Sequence, residues 1–286
     1  MIGGMAKLFH ERSHVLSKMT AAISADWARA AKLECTLRCK AVEIKIYSRK
    51  LLVISVKPFW STTLFVTGTD EAVGKTVVLS ALAAYWQTYR SLQSLSIMKL
   101  IEQGTRDRDW YHTTIVPHQS AEEITPCLVD PNTSIHQADV NLGHLWQTLQ
   151  RATQQTDLTL VEAVGGLGCP IAPETTVADL ARDWRLPTVL VVPVRPHAIA
   201  HAVANVALAR QTRVNLKGLI LNGCQPDSQD NLEEWMPLSI VRSLTQVPVL
   251  GYFPYVTDPS DRTALAQAAA TLTLEQLLPT RPALTP

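Results

Sequence analysis

The sequence predicts an α/β fold, a mostly parallel β-sheet with helices on both faces. Three observations carry that prediction. From Leu64 onward, short runs of Val, Leu and Ile alternate with longer segments of helical periodicity. The apolar runs are continuous, as suits strands buried on both faces and joined by crossover helices. The first run also leads through a glycine-bounded turn straight into a helical pattern.

Residues 1–60 read differently from the rest. They hold 11 Lys/Arg against 4 Asp/Glu, out of 26 and 25 in the whole chain, so the remainder is net acidic. Ser24–Lys32 suits a short helix, and 41–56 shows strand-like alternation at Val42, Ile44 and Ile46. Met1–Thr20 has no apolar signal core, because Lys7, His10, Glu11 and Arg12 interrupt it. The basic, Ser-containing character allows a transit peptide, yet Glu11, Asp26, Glu34 and Glu43 weigh against one. A poorly ordered or loosely docked extension and an over-long start to the reading frame both remain open, and no function is legible in it.

In residues 61–279 the expected strands are Leu64–Thr67, Leu95–Lys99, Leu158–Glu162, Thr188–Val194, Gly218–Asn222 and Val249–Phe253. Helical patterns lie between and after them at Lys75–Arg90, Asn141–Gln155, Val177–Trp184, Ala198–Arg213, Leu238–Leu244 and Asp261–Ala270. The proline-spaced tail 280–286 is expected to fray.

The first strand runs into Gly68-Thr69-Asp70-Glu71-Ala72-Val73-Gly74-Lys75-Thr76, followed by Val77 and Val78. Strand, glycine-bounded loop and helix start form the layout of a phosphate-binding loop, in which main-chain N–H groups and the helix N-terminus surround an anion. Lys75 would reach the β- and γ-phosphates, and the Thr76 hydroxyl would ligate Mg²⁺. The chain is therefore expected to have a phosphate-loop NTPase-like fold and to bind a nucleotide.

In open parallel sheets, ligands gather beyond the C-terminal ends of the strands. Lys99 closes the second strand, where a cation beside the loop suits charge developing during phosphoryl transfer. Asp107 and Asp109 follow shortly after, and either could be a Mg²⁺ ligand or a solvated loop charge. Glu162 ends an apolar run before Ala163, Val164, Gly165 and Gly166, and a carboxylate there is costly to bury without a partner. Asn222 closes the fifth strand, where its amide could read a purine edge or simply form a turn. Pro254 and Tyr255 follow the last strand and could flank a base. His197 and His201 open a helix whose first position could be Pro196. No Glu follows the first histidine and no third ligand is evident, so an anion at that N-terminus is favoured over a metal.

A formal net charge of +1 argues against nucleic acid held by bulk electrostatics. No apolar run reaches the ~20 residues of a bilayer span. The five cysteines are an odd number without framework spacing, and Cys35 and Cys39 have no second pair nearby for a metal. A reduced, cytoplasmic setting without nucleic acid or membrane partners is expected.

Together these residues resemble the dethiobiotin synthetase family over about Thr63 to Pro279. The specific likenesses are the long Thr-Asp loop through Thr76, Lys99 with Gly104, Glu162 with Gly165-Gly166, and Val177-Ala178-Asp179. Further along come Leu190-Val191-Val192, Asn222, and Gly251 with Pro254. The resemblance implies an ATP-dependent ligase that closes a urea ring on 7,8-diaminononanoate with CO₂, making dethiobiotin for biotin synthesis. By resemblance Lys75 and Lys99 are catalytic, and Thr76, Asp107 and Glu162 surround Mg²⁺. ATP would contact Ala72, Val73, Gly74, Lys75, Thr76, Val77, Asp107, Glu162, Ala163, Val164 and Gly165. Asn222, Gly223, Pro254, Tyr255 and Val256 would line the adenine pocket. Gln103, His197 and Ala198 fall on the diamine side, and the family is homodimeric with a helix start at His197–His201 reaching across the interface. Three departures stand out. Glu71-Ala72 replaces Thr-Glu, Gln103 replaces a serine, and His197 stands where a small glycine is usual. An ATP-binding relative with lost or altered substrate use, in a regulatory or interaction role, is the alternative. Another phosphate-loop ATPase is a further one.

Overall fold

The computed structural model describes residues 63–279 and the backbone of three short strands within 37–55. The chain divides into two units, Met1–Val56 and Lys57–Pro286. In the first, β1 (Leu37–Cys39), β2 (Val42–Tyr47) and β3 (Leu51–Ser55) form an antiparallel meander. The alternation at Val42, Ile44 and Ile46 does mark a strand. The helix expected at 24–32 and the tail at 280–286 lie outside the described residues.

The second unit is built on β4 (Thr63–Gly68), β5 (Leu95–Lys99), β8 (Leu158–Gly166), β11 (Thr188–Pro193), β12 (Leu216–Asn222) and β13 (Val249–Phe253). Their order is β13-β12-β11-β4-β8-β5, with every pairing parallel. Two small pairs stand outside this sheet: β6 (Glu102–Gln103) with β7 (Leu128–Val129), and β9 (Pro170–Ala172) with β10 (Thr175–Thr176). The longer helices are α1 (Lys75–Tyr89), α4 (Leu142–Gln155), α5 (Val177–Asp183), α6 (Ala198–Thr212), α8 (Leu238–Thr245) and α9 (Arg262–Ala269). The short ones are α2 (Arg106–Trp110), α3 (Ala121–Ile124), α7 (Leu232–Trp235) and α10 (Leu274–Leu277), with a π-helical turn at Tyr111–Ile115.

Strand side chains alternate between two apolar layers. Leu64, Val66, Leu160 and Val191 meet Leu79, Leu82 and Trp86 of α1 and Leu265 and Ala269 of α9 on one face. Phe65, Met98 and Val161 meet Leu145 and Leu149 of α4 and Val177 and Ala181 of α5 on the other. Toward the β12 end, Leu190, Val192 and Leu221 pack on α6 and α8 through Ala202, Val206 and Val241. The sheet is therefore covered on both sides, as the continuous apolar runs require.

Several boundaries shift slightly from expectation, as at β4 (Thr63–Gly68) and β12 (from Leu216), and two further strand ends shift at the C-terminal edge of the sheet. β8 continues four residues past Glu162, because Gly166 pairs with Gly68 and extends the ladder. β11 stops at Pro193, one residue early. β5 is an outer strand, and its Ile97 directs both main-chain groups outward. The Ile97 N–H donates to Gln119 Oε1 at 2.9 Å, and Gln119 Nε2 donates to the Ile97 carbonyl at 2.6 Å. Among the described residues no helix is long and apolar enough to cross a membrane.

Candidate functional site

The loop between β4 and α1 is held by its own backbone requirements. A Cβ on Gly68 would lie 2.4 Å from Val73 Cγ2 and 2.9 Å from the Asp70 carbonyl oxygen. Ala72 (φ +51°) and Gly74 (φ +86°) are both left-handed, and such turns form concavities lined by N–H groups. A side chain on Gly74 would strike Asn222, coming within 2.1 Å of Nδ2. Asn222 in turn donates to the Val73 carbonyl at 2.8 Å, and the Thr69 N–H donates to Val191 at 3.0 Å. Asn205 of α6 adds a third tie, donating to the Thr69 carbonyl at 3.2 Å. The buried Lys75 ammonium donates to the Asp70 carbonyl at 2.9 Å. Burial pulls its pKa below the ordinary lysine value, with Glu162 opposing that pull.

Beside the loop, α1, β5, α2 and β8 bring one hydroxyl, one ammonium and two carboxylates together. The register of β5 on β8 sets Lys99 opposite Glu162. Lys99 Nζ donates to Glu162 Oε1 at 3.0 Å and also to Asp107 Oδ2. Thr76 Oγ1 lies 3.0 Å from Glu162 Oε1 and 3.3 Å from Asp107 Oδ2. Burial works against the Lys99 charge, but Glu162 and Asp107 outweigh it and hold the ammonium's pKa above its ordinary value. The buried Tyr111 hydroxyl donates to Glu162 Oε2. Burial first, then the Glu162 charge, drives the phenol's pKa well above its usual range.

Thr76, Asp107 and Glu162 present only hard oxygen donors, and two carboxylates with a hydroxyl suit Mg²⁺, which takes its other ligands from phosphates and water. Among the described residues no cluster of three or more His, Cys, Asp or Glu offers an all-protein metal cage. The donor set thus fits a metal shared with phosphate oxygens. Asp109 is exposed and pairs with Arg108 instead, away from this cluster.

The remaining expected residues spread around this centre. Ala163 is buried, Val164 is half-buried, and Gly165 turns left-handed (φ +58°) beside Cys169. Val77 packs on the core of the α1 face. Gly223 approaches so closely that a Cβ would lie 2.5 Å from the Tyr252 hydroxyl and 3.1 Å from the Tyr255 nitrogen. Pro254 and Val256 are half-buried and Tyr255 is exposed. Gln103 is exposed, and its amide donates to the Pro131 and Thr133 carbonyls at 3.0 and 2.9 Å. His197 is exposed at φ +67°, a left-handed position that favours glycine. The Ala198 side chain is buried, so only its backbone can face a ligand, and its N–H lies 3.3 Å from the Arg195 carbonyl. A cavity of about 410 Å³ opens beside the loop, lined by Thr69, Glu71, Gly165, Cys169 and Asn205 among others.

Sequence reasoning missed Tyr111, Glu102 and Asn205. Tyr111 stands four residues after Asp107, the spacing of one helical face, but the helix that gives this spacing meaning is only five residues long. Glu102 is a lone carboxylate after the apolar Leu100-Ile101, and it is 4% exposed. Asn205 had no local signal, because its role rests on a contact with a loop 136 residues away.

The sequence profile of a family described as an AAA domain matches residues 62–263. An ATP-dependent dethiobiotin synthetase from Gloeothece citriformis is 47% identical over 222 residues, covering 76% of this chain and 98% of that protein. One from Synechocystis is 44% identical over 227 residues, covering 75% and 94%. Among solved structures, the MinD cell division protein of Aquifex aeolicus superposes with a TM-score of 0.50 at 10% identity, covering 75% of this chain and 95% of that one. That likeness speaks to the fold alone. With the loop, the parallel sheet and the two relatives in agreement, the chain belongs to the ATP-dependent dethiobiotin synthetase family.

Proposed function

We propose that residues 61–279 catalyse the ATP-dependent closure of a urea ring on 7,8-diaminononanoate with CO₂, giving dethiobiotin, ADP and phosphate. CO₂ adds to one amine, which loses a proton and becomes a carbamate. A carbamate oxygen takes the γ-phosphoryl group of ATP and ADP leaves. The second amine then attacks the carbonyl carbon of this mixed anhydride, the C–O bond to phosphate breaks, and the ring closes. The observation that carries the reading is the convergence of Lys75, Thr76, Lys99, Asp107 and Glu162 from α1, β5, α2 and β8 at one phosphate loop.

In this reading the loop amides and Lys75 hold the triphosphate, and Lys99 faces the charge that moves between phosphoryl and carbamate oxygens. Bound Mg²⁺ would neutralise phosphate charge, held by Thr76, Asp107 and Glu162. Asn222 keeps its amide N–H on Val73, leaving its carbonyl oxygen to accept from the adenine amino group. Pro254, Tyr255 and Val256 flank the base. Gln103, His197 and Ala198 lie toward the diamine, and the enzyme works as a cytoplasmic homodimer. The test is mass spectrometry of products after incubation with diaminononanoate, bicarbonate and MgATP. A dethiobiotin mass and diamine-stimulated ATP hydrolysis are expected. Nucleotide binding without either would remove the ligase reading and favour an ATP-binding relative with changed substrate use.

A further inference from the structure

The segment that carries Asp107 is short, and its start is anchored from outside. α2 has Thr105 at its N-cap, and Thr105 makes no side-chain capping bond. Helix starts leave N–H groups that need acceptors. Here they find one on β6. The Asp107 N–H donates to Glu102 Oε1 at 2.6 Å, the Arg108 N–H donates to Glu102 Oε2 at 3.0 Å, and the Thr125 hydroxyl approaches Oε2 at 3.4 Å. Glu102 is 4% exposed, so it is fixed by packing as well as by these bonds. No role in binding or catalysis has so far fallen to it.

We propose that Glu102 is a positioning residue, capping α2 so that the Asp107 carboxylate is held against Thr76 and Lys99. The inference rests on the reading of Asp107 as a metal ligand. A carboxylate accepting two consecutive N–H groups fixes the backbone on which Asp107 sits, one residue from the capped start. Charge-assisted bonds to helix-start N–H groups are among the stronger ones available. Without them α2 can fray, and the Oδ2 that meets Thr76 and Lys99 is no longer held there. Supports behind a metal ligand typically change metal affinity by roughly 10- to 100-fold when removed.

The experiment measures Mn²⁺ binding to the ADP complex of the full chain by electron paramagnetic resonance, and metal-free ADP binding by calorimetry. The variants are Glu102→Ala, Glu102→Gln, Asp107→Asn and the Glu102→Ala/Asp107→Asn pair. Glu102→Ala should weaken Mn²⁺ binding by at least about tenfold and leave metal-free ADP affinity within about twofold. Glu102→Gln keeps the volume and one acceptor oxygen, so it should fall between Ala and the parent protein. It also serves if the alanine variant fails to fold. Asp107→Asn should weaken Mn²⁺ binding too, and the pair should be no worse than Asp107→Asn alone. Unchanged Mn²⁺ binding in folded Glu102 variants overturns the proposal, as does a pair in which the two losses multiply. If Asp107→Asn has no effect while Glu102→Ala does, the metal-ligand reading and the positioning role both fall. If Asp107→Asn alone weakens binding, the ligand reading survives and only Glu102 is dismissed.

Discussion

Lys99→Met tests the centre of the site by removing a charge while keeping most of the side chain's length. Glu162 then stays in place with its side chain 1% exposed, beside Asp107 at 27%, without the ammonium that joins them. Removing one partner of a buried ion pair costs about 3–5 kcal/mol, because the other charge is left uncompensated. The partial exposure of Asp107 places the expectation at the lower end, about 3 kcal/mol. In a domain of this size one kcal/mol shifts the melting midpoint by about 2–4 °C, so the variant should melt roughly 6–12 °C early. The sign with pH follows from the pKa of Lys99, which is raised above its ordinary 10.5. Its contribution is complete below that ordinary value and drains away as pH rises through the folded-state value. The deficit of the variant should therefore be constant between about pH 7 and pH 9 and shrink in stronger alkali. MgADP should restore part of the lost stability, since a divalent cation replaces the missing charge, while diamine-dependent ATP turnover stays lost. Calorimetric melting at several pH values, with and without MgADP, reads all of this. A variant that melts within about 2 °C of the parent, or turns over at the parent rate, would refute the reasoning.

Gly74→Ala combines a left-handed backbone with a Cβ 2.1 Å from Asn222 Nδ2, so it should lower ATP affinity by about tenfold or more, measured by calorimetry. Normal affinity would mean that the Val73–Asn222 contact yields freely. Tyr111→Phe removes the hydroxyl that Glu162 accepts from, and should cost about 1.5–3 kcal/mol in denaturant unfolding with a smaller loss of kcat. Gln103→Ser with His197→Gly should raise kcat/KM for diaminononanoate if these two side chains crowd the diamine. His197→Gly alone should change stability by no more than about 1 kcal/mol, because the gain at φ +67° offsets the entropy glycine loses on folding.

The sheet was legible because six apolar runs were long enough to read and each had a neighbour of opposite period. Leu95–Lys99 and Val249–Phe253 match the strands residue for residue. The loop was legible because its backbone needs glycine at fixed places. Lys99 and Glu162 were found as strand-end residues, although Glu162 sits within a strand that runs on to Gly166. What escaped detection was short or non-local. α2 and α3 have five and four residues, barely one turn each and far short of the several turns over which a helical period shows. The choice between Asp107 and Asp109 depends on which face of that brief helix meets β5, and composition does not encode a face. Gln103 stands out in the sequence only as a departure from serine, and the contacts of its amide with the Pro131 and Thr133 carbonyls depend on a segment distant in the chain.

Gln119 gives the molecule a safeguard against its own neighbours in a crowded solution. By meeting both main-chain groups of Ile97, the carboxamide imitates the next strand for one rung, and a foreign chain arriving there finds the donor and acceptor already taken. A strand pairing along β5 would have to displace this carboxamide at the middle rung before the ladder could extend.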